Sequence, residues 1–160
     1  MNHPSRASRL WSLALVSLAL SIAGSTSSGQ TQKAAAEPDP VFKEYRGVQI
    51  GWLADDVRKK LGSPANKADD QDFYTFGDKE TAQFLYDKSN KVTTISVDFS
   101  NGASSVPTPQ QVFGADIEPR ADGSKYKLVR YPKVGFWISY NRTAGDSPMV
   151  SVTIQKLPQQ

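Results

Sequence analysis

The chain has no cysteine in its 160 residues, and its one histidine, His3, lies at the extreme N-terminus. Without thiols there is no disulfide, no thiolate metal ligand, no Cys-His nucleophile and no lipid-modified N-terminal cysteine. With the one imidazole in a segment predicted to be removed, Ser-His-Asp catalysis and imidazole ligation are excluded from the mature chain as well. Long apolar runs are equally scarce. Leu10 to Ala23 is the longest, and its fourteen residues fall short of the ~20 that span a bilayer. No cofactor is expected, because few side chains remain that could hold one.

That apolar run is read as export machinery instead. Arg6 and Arg9 precede it and small residues follow, the layout of a secretory signal peptide. Cleavage after Ala23 fits the small residues Ser21 and Ala23, and sites up to Gly29 fit too, giving a signal peptide at 1–23. Residues 24–40 are rich in Ser, Thr, Gln, Ala and Pro, the composition of a disordered linker. Removing Arg6 and Arg9 changes the charge argument. The whole chain is +3 with a pI of about 9.1, but without those two arginines it carries 17 basic against 16 acidic side chains. A near-neutral exported chain argues against nucleic acid as partner, although Tyr126, Lys127, Arg130, Tyr131, Phe136 and Trp137 interleave bases with aromatics. No membrane span is expected after cleavage, and a periplasmic or secreted location follows.

Gly51–Pro64 reads as a short helix with its punctuation. Ala54, Val57 and Leu61 share one face. Asp55 and Asp56 lead and Arg58, Lys59 and Lys60 trail, as the helix dipole favours, and Gly62 and Pro64 stop the turn. Trp52 is predicted to pack the helix start onto a sheet. A polar loop, 65–72, follows, and then the period becomes alternating: strands are predicted at 73–76, 82–86 and 92–99. The second half offers a helix at 108–113 with Pro109 in its first turn and Gly114 as its stop, then strands at 126–131, 134–140 and 149–156. Leu61-Gly62 and Phe113-Gly114 align at an offset of 52, as do Tyr74 and Tyr126. Phe84-Leu85 and Trp137-Ile138 align at 53, and Ile95-x-Val97 and Val152-x-Ile154 at 57. The predicted fold is therefore α+β, built from two tandem units of a short helix plus a three-stranded antiparallel meander, 41–100 and 101–160, with helices on one sheet face.

The run Gly51-Trp52, Asp55-Asp56-Val57-Arg58, Leu61-Gly62-x-Pro64, followed by an aromatic strand at Tyr74 and a strand ending near Phe99, resembles the SmpA/OmlA family of outer-membrane assembly factors. The duplicated form resembles β-lactamase inhibitory proteins. The family has a threonine where this chain has Leu53, so helix capping is expected to pass to Asp55 or to water. The resemblance implies a periplasmic or secreted module whose helices cover one sheet face and whose other face is free to bind protein. With neither His nor Cys in the mature chain, a non-enzymatic module binding a periplasmic or secreted protein is expected.

In the strand 134–140, Val134, Phe136, Ile138 and Tyr140 fall on one side and Gly135, Trp137 and Ser139 on the other. Large apolar groups thus appear on both. The offsets place Phe84 with Trp137 and Tyr74 with Tyr126, so Phe84, Trp137, Tyr74 and Tyr126 are the expected protein-binding face, with Leu85 and Ile138 toward the helices. Alternatively Trp137 packs between the two units. Enzyme chemistry has only carboxylates to draw on. Asp69, Asp70, Asp72 and Asp98 would support, as the alternative function, a carboxylate-dependent hydrolase of cell-envelope glycan. Ser124-x-x-Lys127 matches a catalytic spacing that works on a helix, whereas it falls here on a predicted strand.

Overall fold

A computed structural model describes residues 39–158. The predicted signal peptide at 1–23, and the predicted linker as far as residue 38, lie outside the described residues. The described residues belong to one compact unit. Its elements run α1 (Ala54–Leu61), β1 (Asn66–Lys67), β2 (Gln71–Thr75), β3 (Glu80–Tyr86), β4 (Val92–Phe99), α2 (Pro109–Phe113), β5 (Lys125–Tyr131), β6 (Phe136–Arg142) and β7 (Val150–Lys156).

The seven strands make one antiparallel sheet in the order β1-β2-β3-β4-β7-β6-β5. This overturns the expected pair of tandem helix-plus-meander units. The helices take only 8 and 5 residues, and the chain is a sheet-rich fold. The physical reason lies at β4 and β7, which pair from Thr94↔Gln155 to Phe99↔Val150. A three-stranded meander leaves open edges and a narrow apolar face, and joining the two meanders pairs one edge of each and widens the face. The boundary expected at 100/101 falls in the connection between β4 and α2.

Alternation sets which face is buried. In β3 Glu80, Ala82, Phe84 and Tyr86 are buried and the residues between them are half-buried; β6 and β7 follow the same rule through Phe136, Ile138, Tyr140 and Val150, Val152, Ile154. One cross-strand row, Phe84-Ile95-Ile154-Ile138, runs through the middle of the core. These four side chains are 0–1% exposed, and burial of each is worth about 1.5–3 kcal/mol. A bulge at Thr93 shifts the register between Leu85 and Tyr86, which moves the core face of β4 from even to odd numbers.

The helices lie against this buried face. In α1, Ala54 and Val57 are buried. Leu53 at its N-cap offers no side-chain cap, and neither Asp55 nor a solvent contact replaces it at the first amide: Ala54 N–H donates to the Asn90 carbonyl at 2.9 Å. The turn after β3 thus caps the helix. In α2, Thr108 accepts from Gln111 N–H at 3.3 Å while its own N–H donates to the Gln111 side chain at 2.8 Å, a capping box. Ahead of α1 the chain makes a tight turn, in which Tyr45 and Val48 exchange backbone bonds of 3.0 and 2.9 Å around Arg46 and Gly47 at φ 49° and 78°. Asn66 and Lys67, predicted as loop, pair with Phe73 and Asp72 as the short strand β1.

Candidate functional site

Because both helices lie on one side, the opposite side of the sheet is lined by side chains alone. Its rows follow from the register. Gln71, Leu85, Thr94, Gln155, Trp137 and Arg130 form one, and Phe73, Gln83, Ser96, Thr153, Ser139 and Leu128 form the next. Thr81, Asp98, Ser151, Asn141 and Tyr126 share a third. The middle of this face is a hydroxyl and amide seam tied to itself. Ser96 and Thr153 share a hydrogen bond of 3.1 Å, Ser151 donates to Asp98, and Gln83 donates to Gln71 at 2.7 Å. Apolar groups flank it: Phe73 and Leu85 at one end, and Trp137, Leu128 and Tyr126 at the other.

The β5–β6 end carries the larger apolar patch. Tyr126 is 46% and Leu128 41% exposed, and Trp137 is half-buried between the Arg130 and Gln155 positions. The Arg120 guanidinium stacks 5.3 Å from the Tyr126 ring, a contact that holds the phenol in place. Two of the four predicted face residues are therefore here. The other two are not. Phe84 is 0% and Tyr74 3% exposed; their rings meet edge to face at 5.5 Å, and Tyr74 Oη donates to the Gly62 carbonyl at 3.2 Å. Both are core residues on the α1 side of the sheet, and Leu85, expected toward the helices, lies on the open face while Ile138 lies in the core.

A slip of one residue explains this correction, since neighbouring strand residues point to opposite faces. Core-facing positions are even-numbered in β2, β3, β6 and β7 and odd-numbered in β5 and in β4 from Ile95 on, Thr94 being buried on the other face opposite Leu85. The offset of 57 between β4 and β7 respects that parity. The offsets of 52 for Tyr74 and 53 for Phe84 do not, and each paired a core residue with a face residue. Leu128 and Phe73 were missed, although the alternation Tyr126, Leu128, Arg130 in β5 was available as a signal.

The carboxylates are dispersed. Asp72, read as part of a polar loop, is 0% exposed. It accepts from Arg58 Nε at 2.8 Å and Nη2 at 3.1 Å and from Tyr86 Oη at 2.7 Å. This bidentate pair fastens α1 to β2. Burial, then the bond to Asp72, pushes the Tyr86 phenol up, and the Asp72 hydrogen bond raises Arg58. Glu80 is held in the same manner by Tyr45 Oη and by Arg46 Nη2 at 2.9 Å. Asp98 is bonded to Ser151 on the open face, and Asp69 and Asp70 are exposed in the bend before β2. A cleft of about 310 Å³ at the start of α1 is lined by Asp55, Arg58, Lys67, Asp69, Ser89 and Asn90; its acids face cations, with Asp55 3.3 Å from Arg58 Nη1. A wider groove of about 670 Å³ runs along Trp52 and Leu53 between Lys59, Lys60 and Lys91, and Trp52 packs against the core from there. Ser124 donates to Asp122, while Lys127 Nζ sits 5.2 Å from the Phe113 ring, so the Ser-x-x-Lys spacing brings no reactive pair together.

Among the described residues no three His, Cys, Asp or Glu side chains are grouped as metal ligands, and no helix is long and apolar enough to cross a membrane. No protein-family model, curated protein or solved structure matches this chain.

Proposed function

We propose that the chain is an exported, non-enzymatic protein-binding module that engages a periplasmic or secreted protein through the open face of its sheet. The observation that carries this reading is the one-sided cover: α1 and α2 both lie against the core face, and Trp137, Leu128 and Tyr126 form an apolar patch on the other. Aromatic side chains beside a polar, already bonded seam are the composition of an interface with a dominant contact at one end and a complementary remainder. The signal-like N-terminus and the likeness of Gly51–Pro64 to SmpA/OmlA assembly factors support export and a role among envelope proteins. The Arg58-Asp72 and Arg46-Glu80 pairs occupy the buried carboxylates structurally, which leaves the non-enzymatic reading favoured over glycan hydrolysis.

The test is in-cell crosslinking of the full-length exported protein with a photo-reactive residue at position 126 or 128, set against the same probe on the α1 side at position 59. A discrete crosslinked partner from the open face, lost in Trp137→Ala, is the expected result. Equal crosslinking from both sides, or release of soluble fragments from envelope glycan by the purified protein, would overturn it.

A further inference from the structure

Strand β5 ends the sheet on one side, and the backbone shows which of its groups are spare. Thr143 N–H donates to the Met149 carbonyl, and Leu157 N–H donates to the Gly135 carbonyl. Odd-numbered residues of β6 therefore turn their peptide groups toward β7 and even-numbered ones toward β5. With the pairs Lys125↔Arg142, Lys127↔Tyr140 and Val129↔Ile138, the odd residues of β5 bond to β6. The N–H and C=O groups of Tyr126, Leu128 and Arg130 point away from the sheet, and among the described residues no backbone bond is made to them. The other end of the sheet is blunted, since β1 covers Asp72 and Phe73 of β2.

The side chains bordering this edge are of one sign. Lys125, Lys127 and Arg130 lie on β5, which has no acid. Lys125 and Lys127 share the face of Val129, and Arg130 shares the face of Tyr126 and Leu128. The carboxylate nearest to β5 in sequence, Asp122, already accepts from the Ser124 N–H and hydroxyl at 2.9 and 2.7 Å. Pairing with β5 of a second copy would double an uncompensated positive charge, which is unfavourable across strands. An acidic strand has the opposite charge complementarity.

We propose that the β5 edge is a docking strand for an extended acidic peptide segment of a partner protein, with acidic and apolar side chains alternating. The peptide adds to the sheet by bonding to Tyr126, Leu128 and Arg130. Its carboxylates line the side of Lys125 and Lys127, and its apolar side chains extend the patch of Tyr126 and Leu128. This rests on the protein-binding reading and specifies the chemistry of the partner, but it uses main-chain groups that Trp137 does not supply.

The probe is a fluorescent Glu-Val-Glu-Val-Glu-Val-Glu peptide, compared with its Lys-Val counterpart and with a copy N-methylated at the valines and another at the glutamates. Leu128→Pro removes one outward N–H and no bond to β6, and edge strands tolerate proline, so circular dichroism and thermal unfolding should be preserved. The expected result is saturable binding of the acidic peptide, weakened about tenfold or more by Leu128→Pro and by Lys125→Glu with Lys127→Glu, and lost in one of the two N-methylated copies. Equal binding to wild type and a folded Leu128→Pro would overturn the edge site, as would no binding by the wild type. A wild-type dimer in sedimentation that becomes monomeric in Leu128→Pro would overturn it in favour of a second copy. None of these results depends on the open-face crosslink, so failure of one reading is distinguishable from failure of the other.

Discussion

Ser96 on β4 and Thr153 on β7 stand directly opposite each other, their hydroxyl oxygens 3.1 Å apart, at the seam where the two meanders fuse into one sheet. Their bond leaves the centre of the open face with its polar groups already partnered. Apolar contact on that face therefore comes from the flanks, and the first prediction concerns the larger of them.

Trp137→Ala should remove the partner crosslink while lowering stability by about 1 kcal/mol or less, since the indole is half-buried on a solvent-facing surface. Phe84→Ala, by contrast, should cost about 3–5 kcal/mol, because it empties a fully buried position against Tyr74. Urea titration of both variants measures the difference, and equal losses would show that Trp137 belongs to the core.

The Asp72 site should behave as a buried structural pair. Asp72→Ala leaves Arg58 and the Tyr86 hydroxyl without their acceptor and should cost about 3 kcal/mol. Asp55→Ala removes a contact whose carboxylate is 95% exposed, and its unfolding midpoint should stay close to wild type.

Alkaline pH should unfold the protein through its phenols. Burial raises Tyr45, Tyr74, Tyr86 and Tyr140 above their ordinary value, with Tyr86 raised further by the bond to Asp72 and Tyr45 by that to Glu80. The folded state thus keeps protons that the unfolded chain releases above pH ~10. The unfolded state then binds fewer protons, so stability is full below that pH and falls as pH rises through and beyond it. Unfolding midpoints between neutral pH and pH ~11 give the slope, and Tyr86→Phe should flatten it while also lowering stability at neutral pH.

The two helix ends should respond differently to the same repair. Thr108→Ala breaks a capping box and should cost about 1 kcal/mol, whereas Leu53→Thr gives α1 the side-chain acceptor it lacks and should gain about 0.5–1 kcal/mol. At the C-caps, Gly62 at φ 88°, ψ −166° has a conformation nearly confined to glycine, and Gly114 at φ 73°, ψ 7° is left-handed helical. Alanine should therefore cost more at Gly62, about 2 kcal/mol against about 1. Thermal unfolding of the four single variants checks the order.

Local structure was legible where a local rule wrote it. The acids, bases and glycine around α1 and the alternation of Val92–Phe99 led directly to their elements, with ends within a residue or two. What was missed depends on partners distant in sequence. Nothing near Asp72 reveals that Arg58 and Tyr86 close over it, and nothing near Leu53 reveals that Asn90 caps the helix it starts. The pairing of β4 with β7 joins residues more than fifty positions apart, so the single sheet could not be read from either half. The face residues failed for a narrower reason: similarity of residue type aligned Phe84 with Trp137 and Tyr74 with Tyr126, and only cross-strand register carries the parity that separates core from surface.

The place of β7 also sets an order of events during synthesis. β7, the last of the described strands, is inserted between β4 and β6 at the middle of the sheet, so the first four strands emerge with the β4 edge unsatisfied and wait for Val150–Lys156. Such long-range closure is slow, on the order of milliseconds to seconds, and a nascent chain that halts before Val150 has two exposed edges in place of a core. Closure of the sheet is thereby deferred until Val150–Lys156 is available to pair.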